Sequence, residues 1–327
     1  MKAIKFFAIS AMAAAMITSC SSDDELSQSN YPSDNIIRVT AGVNNAKTRA
    51  EGAGTEMKND FSLTIVNKNA SKYTYTDKVF SKSSGDWACS ETLLWQKSDA
   101  LVDIVAFAPA QTGKFNGVYA NGSIQPIAYS VAKDQTTADD KNDLLYYYAK
   151  DFNPGESLDK GKLKIQFNHA FCMIDINVTL GTEFNKPEVL KESPIVKVTL
   201  GGTKIAANVN VTNAASVVTI SETDAATDIT TTKGSFDKAA DPEANAKSHF
   251  SCIAIPQTVG ANTFKVSLMT AGKRYEWTSD KEITLQSGYR YTLNLSMGND
   301  VVLLKGGSIS ASPWTEGDTG DKPLETD

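Results

Sequence analysis

The sequence predicts an all-β protein assembled from β-sandwiches. Three observations carry this expectation. Several stretches alternate apolar and polar residues with a period of two. Gly, Asn and Pro turn signals recur between them. Helix-like composition is confined to two short stretches, residues 139–150 and 241–247.

In chain order, residues 36–43 (Ile-Ile-Arg-Val-Thr-Ala-Gly-Val) make a first strand. Residues 61–65 follow as Phe-Ser-Leu-Thr-Ile, apolar on one face. Residues 102–108 are apolar at almost every position, which marks a strand buried on both faces. Asn121-Gly122 marks a turn. Residues 162–167 and 174–180 alternate again. Gly201-Gly202 is another turn, and residues 212–233, rich in Thr, Ser and Asp, read as a long surface excursion. Residues 250–255 form a second fully buried strand. Residues 264–268 and Tyr275-Glu276-Trp277 flank Ala271-Gly272-Lys273 as a hairpin. Residues 289–297 give the clearest alternation, Tyr-Arg-Tyr-Thr-Leu-Asn-Leu-Ser-Met. The apolar stretches at residues 301–304 and 309–314 form either the last strand of the protein's own sandwich or one given to a neighbour.

The first twenty residues are of a different kind. Lys2 and Lys5 precede an apolar run over residues 6–17, and Ile17-Thr18-Ser19-Cys20 has the form of a lipobox. The run is too short to span a bilayer as a helix, so residues 1–19 read as a removable lipoprotein signal. Cys20 becomes the lipidated first residue, since two or more acyl chains hold a protein on a membrane where one is marginal. Residues 20–34 form a flexible acidic tether opening on Ser21-Ser22-Asp23-Asp24-Glu25. Such an acidic run resembles the surface-export signal of Bacteroidetes lipoproteins. The expected location is therefore the outer membrane, facing outward.

The remaining chain has room for two domains of moderate size. The division is placed at residues 35–175 and 176–316, with an acidic tail at 317–327. Loss of residues 1–19 takes away Lys2 and Lys5 and moves the formal charge from −6 to −8. No basic patch interleaved with aromatics occurs, which argues against nucleic acid as a partner. The remaining cysteines, Cys89, Cys172 and Cys252, are too few and too scattered for a disulfide framework, and Cys172 and Cys252 read as small buried hydrophobes.

No nucleophile elbow, phosphate loop or His-Glu-x-x-His helix is present, so no catalytic residue, cofactor or metal ligand is assigned, and no enzymatic activity is expected. His169-x-x-Cys172 and His249-x-x-Cys252 have zinc-like composition. Both lie in strand patterns, however, where residues three apart point to opposite faces. Trp87, Trp95, Trp277 and Trp314 suit either a sugar platform or core packing.

A series of short motifs carries more information together than singly. Trp95 precedes Val105-Ala106-Phe107-Ala108-Pro109. Asp143-Leu144-Leu145-Tyr146 and Phe167-Asn168-His169-Ala170-Phe171 follow. Then come Ile255-Pro256-Gln257, Gly272-Lys273-Arg274-Tyr275-Glu276-Trp277, Gly288-Tyr289-Arg290-Tyr291-Thr292-Leu293 and Ser312-Pro313-Trp314-Thr315. In this order, behind a lipobox and over roughly residues 36–316, the chain resembles the fimbrillin family of Bacteroidetes, the subunits and accessory proteins of type V pili. The resemblance implies two transthyretin-like β-sandwiches in tandem. It implies a lipidated precursor that a trypsin-like protease cuts after a basic residue near the first strand, followed by strand exchange with the next subunit. Partners would then be other pilus subunits, and the outer membrane through the lipid. The cut fits Arg49–Ala50, in the polar stretch Lys47-Thr48-Arg49-Ala50-Glu51-Gly52 just after the first strand. Processing would move the protein into a fimbrium. The alternative is a surface lipoprotein that binds glycans or host ligands without polymerising.

Overall fold

A computed structural model describes residues 30–44, 55–186, 188–221, 223–299, 301–304 and 309–314. The strands run, in chain order, β1 (Val39–Val43), β2 (Thr55–Glu56), β3 (Phe61–Asn67), β4 (Tyr75–Ser83), β5 (Asp86–Cys89), β6 (Val102–Ala108), β7 (Tyr119–Ala120), β8 (Ser123–Ile124) and β9 (Ile127–Ser130). Next come β10 (Leu145–Phe152), β11 (Leu163–His169), β12 (Cys172–Leu180), β13 (Ile195–Gly201), β14 (Ala206–Val209), β15 (Val218–Thr219), β16 (Ile229–Thr230), β17 (Thr232–Asp237) and β18 (Lys247–Ala254). The chain closes with β19 (Thr258–Val259), β20 (Lys265–Thr270), β21 (Arg274–Thr278), β22 (Ile283–Thr284), β23 (Tyr289–Met297), β24 (Val302–Leu304) and β25 (Ser310–Pro313). The protein is all-β, as the alternation predicts. The expected helical composition at 139–150 gives a 3-10 turn at Asp140–Asn142 and then β10, and residues 241–246 form turns and extended chain leading into β18.

The first sheet has the order β11-β10-β6-β3-β4-β5-β1-β2, and β1 also pairs with β11, so the sheet curls into a closed ring. The second has the order β17-β18-β12-β23-β24, with β25 also paired to β23. It faces a third, β16-β13-β20-β21, and β15-β14-β9 covers a further side of the same core. The C-terminal stretch therefore lies in its own sheet. β24 pairs with residues 295–297 of β23, and β25 with residues 289–292.

Two hydrophobic cores result, and β6 serves both. Ile104, Ala106 and Ala108 point into the first core, among Phe61, Leu63, Leu163 and Phe167. Val105 and Phe107 point into the second, where Phe107 stacks on Phe115 at 4.8 Å. β10, next to β6, repeats the division. Leu145, Tyr147 and Ala149 meet the first core, while Tyr146 and Tyr148 meet the second. Alternate side chains leave a strand on opposite faces, so a strand between two cores must be apolar at every position. This explains both the unbroken apolar run at 104–108 and the tyrosines of β10. Chain between β6 and β10 then joins the second core: Phe115, Val118, Ile127, Tyr129 and Val131 are buried there, and β9 pairs with β14.

Side-chain amides stand in for main chain at two strand edges. Gln135, buried, donates from Nε2 to the Ile253 carbonyl (2.9 Å) and accepts from the Ile253 N–H (2.8 Å). Gln257 of the Ile-Pro-Gln motif pairs in the same way with the carbonyl and N–H of Lys204, at 2.9 and 2.8 Å. Each thereby satisfies main-chain groups that would be costly to bury unpaired. The expected excursion at 212–233 is more tightly held than its composition indicates, since β15, β16 and the start of β17 lie in it and Ile229 is fully buried. At the Gly201-Gly202 turn, Gly202 has φ +88°, and a Cβ there would collide with the carbonyl of Thr263.

Because β6 and β10 belong to both cores, the two halves should unfold together. Phe107→Ala should cost about 3–5 kcal/mol and leave a single urea transition when followed at the buried Trp95 and Trp314 separately. Two separated transitions would show that the cores are independent.

Candidate strand-exchange site

The first strand closes the ring of the first sheet. Its sequence gives it one apolar face: Ile37, Val39 and Val43 are buried and Ala41 packs against the same core, while Arg38 and Thr40 face outward. On one side β1 runs parallel to β11 in the register Val39↔Leu163 to Val43↔Phe167. The Leu163 N–H donates to the Arg38 carbonyl (2.7 Å), and the Asn44 N–H to the Phe167 carbonyl (2.8 Å). On the other side β1 meets β5 at Val39↔Trp87 and β2 at Gly42↔Glu56 and Val43↔Thr55, both antiparallel. The chain ahead of it is paired as well. The Ile37 N–H donates to the Leu93 carbonyl (2.9 Å), and the Trp95 N–H to the Asn35 carbonyl (2.8 Å).

Phe61 anchors the core beneath this ladder. It stacks on Phe80 (5.4 Å), meets Phe167 edge-on (5.5 Å) and touches Trp87 (4.9 Å). Burial of Ile37, Val39 and Val43 contributes roughly 1.5–3 kcal/mol each, and each ladder hydrogen bond adds about 1 kcal/mol. Taking β1 away would expose this apolar floor and leave the edge of β11 unpaired, a template for another strand. Outside the ring, Asp34 and Arg38 form an exposed ion pair with contacts of 2.7 and 3.0 Å.

The three residues expected to carry processing, Cys20, Arg49 and Ala50, lie outside the described residues. What flanks the Arg49–Ala50 bond is described. Residues 45–54 connect β1 to β2, and those two strands pair antiparallel.

The other candidates sort into packing roles. The Nδ1 atom of His169 lies 3.0 Å from the Asp143 carboxylate, and its ring stacks on Trp314 at 3.8 Å. His249 bonds Asn177 (2.8 Å) and Asp237 (2.9 Å). Cys172 and Cys252 are buried free thiols on the paired strands β12 and β18, and burial pushes both up in pKa. Among the described residues no group of three or more His, Cys, Asp or Glu side chains is placed to hold a metal ion. Trp95 and Trp314 are buried, Trp87 packs on Phe61, and Trp277 lies edge-on to Phe264 at 6.4 Å, so the four do not combine into one platform. No helix among the described residues is long and apolar enough to cross a membrane.

Four of the short motifs meet at one junction that sequence reading did not assemble. Asp143 holds His169, His169 stacks on Trp314, and the Ala170 N–H donates to the Leu144 carbonyl (2.8 Å). The Gly288 N–H donates to the Phe171 carbonyl (2.9 Å), and the Trp314 N–H to the Gly288 carbonyl (2.7 Å). These contacts tie the end of β11 to one end of the antiparallel β23–β25 pair, where β23 begins and β25 finishes. The signal was the shared order of the motifs; the contacts among them span too much sequence to be read from it.

Over residues 48–314 the sequence matches the fimbrillin-like family. The chain belongs to that family. No curated protein matches this fimbrillin-like chain. Its fold does match solved structures. A candidate cell adhesion protein of Bacteroides ovatus ATCC 8483 aligns with TM-score 0.59 at 17% identity, covering 85% of this chain and 95% of that one. A fimbrial protein of Bacteroides vulgatus ATCC 8482 aligns with TM-score 0.51 at 16% identity, covering 86% and 98%. The tip fimbrial protein Mfa3 of Porphyromonas gingivalis, with a C-terminal truncation, aligns with TM-score 0.50 at 11% identity, covering 79% and 95%. At such identities the likeness establishes fold and no more.

The Asp34–Arg38 pair gives this fimbrillin-like protein a titration marker on the segment that carries β1. The hydrogen bond from Arg38 pulls the Asp34 carboxyl down from 3.8 to about 2. A depressed folded-state value means that the pair is intact above pH 4 and is lost as pH falls toward 2. In an NMR titration, Arg38→Gln should return the Asp34 midpoint toward 3.8. An unchanged midpoint would assign the shift to other causes.

Proposed function

We propose that this chain is a surface lipoprotein that serves as a structural subunit or accessory component of a type V pilus, in adhesion, and that it assembles by protease-triggered strand exchange. The observation that carries the proposal is the place of β1. It closes the first sheet between β11 on one side and β5 and β2 on the other, and it leads directly into the segment that contains Lys47-Thr48-Arg49. A cut after Arg49 leaves β1 held only by pairing and burial. Its departure opens a groove whose floor is the first core and whose wall is the edge of β11. A strand from the next subunit restores the same ladder, which is β-augmentation. A head-to-tail interface of this kind need not close, so repetition gives a filament.

In this reading residues 1–19 are the signal, Cys20 bears the lipid, and residues 20–34 tether the folded part to the outer membrane. Cleavage would trade the membrane for the fimbrium. The two cores correspond to two transthyretin-like sandwiches in tandem. In this reading the first sandwich takes residues 35–175 and the second residues 176–316, with the chain at 115–131 reaching across from the first to pack in the second core. The role is mechanical and adhesive, without a catalytic centre or cofactor, and the membership in the fimbrillin-like family supports it.

Limited digestion with an arginine-specific protease should cut the folded precursor first between Arg49 and Ala50. N-terminal sequencing of the large fragment should then read Ala50-Glu51-Gly52, and mild denaturant should release the β1 peptide and yield ladders on gels of unheated samples. A first cut elsewhere, with Arg49 intact, would count against this maturation. Separately, Cys20→Ala should abolish incorporation of a labelled fatty acid and release the protein from the outer membrane. Label retained in that variant would exclude Cys20 as the anchor.

A further inference from the structure

A cleft of about 1000 Å³ opens in the second half of the molecule, and none of its residues belongs to β1 or to the strands that β1 pairs with. It is bordered by residues 214–220 around β15, residues 256–260 around β19, and residues 284–287. This volume stands at the top of the ~300–1,000 Å³ range of small-molecule pockets, with room for a length of chain. None of its described lining residues carries a carboxylate, although the whole chain is acidic. Lys204 lines it, with its ammonium donating to the Ser221 carbonyl at 2.7 Å.

The main chain along the cleft has a specific orientation. The Asn210 N–H donates to the Val217 carbonyl (2.7 Å), so Asn210 and Val217 form a hydrogen-bonded pair of the β14–β15 ladder. Antiparallel pairs alternate between bonded and non-bonded. Val218, the next residue, therefore points its N–H and carbonyl away from β14. The Ser216 hydroxyl, which donates to that carbonyl at 2.9 Å, agrees with this direction. The same logic applies to β19. Gln257 and Leu285 exchange both N–H bonds (3.1 and 2.9 Å), so Thr258 points its N–H and carbonyl away from β22. Val218 and Thr258 both line the cleft, but Val218 is buried and its carbonyl is taken by Ser216, so the open peptide groups are those of the exposed Thr258. Outward-facing peptide groups on short edge strands are the groups that recognise another main chain.

We infer that this cleft binds an extended, neutral or acidic peptide segment of a partner protein by pairing with the main chain at Thr258. Recognition there uses neither β1 nor the strands that β1 pairs with, so the fimbrial reading and this one can fail separately.

The test selects peptides from a phage-displayed random dodecapeptide library on the full chain. Peptides that bind should lose at least tenfold in affinity for Thr258→Pro. That change removes the cleft-facing N–H and spares the bonds between Gln257 and Leu285. Main-chain N-methylation of alternate residues in a selected peptide should cause a similar loss on the unaltered protein, a result that does not depend on how the variant folds. Amide exchange at Thr258 should slow on binding. Failure to enrich any peptide would overturn the inference. So would affinities insensitive to both Thr258→Pro and N-methylation, or binding in this cleft by members of an oligosaccharide array alone.

Discussion

The structure depends on one strand with two apolar faces. β6 sends Ile104, Ala106 and Ala108 into one core and Val105 and Phe107 into the other. No polar face is available to it, so it has to be covered on both sides, and the halves of the chain have to be packed against each other to do so. β10 strengthens the constraint with its alternating tyrosines. Around these two strands the first sheet closes into a ring, and the chain between them crosses to finish the second core. The two cores are thus coupled through shared main chain.

The ring sets the terms for β1. A closed sheet has no exposed edge, which protects the protein from unwanted pairing. Its closing strand is also the one next to the chain's processing candidate, and it is held by three buried aliphatic side chains and a parallel ladder to β11. The opposite arrangement holds at the C-terminal end. There β24 and β25 line β23, and Trp314 is buried against His169. An element held by this much local packing is tied to its own subunit until something displaces it.

Local patterning was readable wherever one face of a strand is wet. The strands at 163–169, 172–180 and 289–297 sit close to their alternating stretches, and the hairpin at 265–278 turns where Ala271-Gly272-Lys273 stands. Reading failed where tyrosines cover both faces of a strand or where the backbone is held by side chains. Residues 145–152 hide their period of two because each face serves a different core. Residues 241–246 have helix-forming residues, yet the Asn245 side chain bonds the Leu180 carbonyl (2.7 Å) and the Ala246 carbonyl accepts from the Leu180 N–H (2.8 Å), which holds the stretch extended at the end of β12. Composition also understated the 212–233 stretch, in which Val218 and Ile229 are buried and Val217 and Ile220 pack partly buried against the second core.

The sequence by itself determined the strand content, the burial of both faces at 102–108, the burial of Cys172 and Cys252, and the motif order that resembles the fimbrillin family. These are properties of short segments, fixed by side-chain period, size and polarity. Tertiary structure alone decided that β1 closes a ring, that β6 and β10 are shared between cores, that four distant motifs meet around His169 and Trp314, and that Val218 and Thr258 border one cleft. Each of these rests on pairing between residues far apart in the chain. Which edges meet is settled by how all the apolar faces are buried at once, and no single segment carries that information.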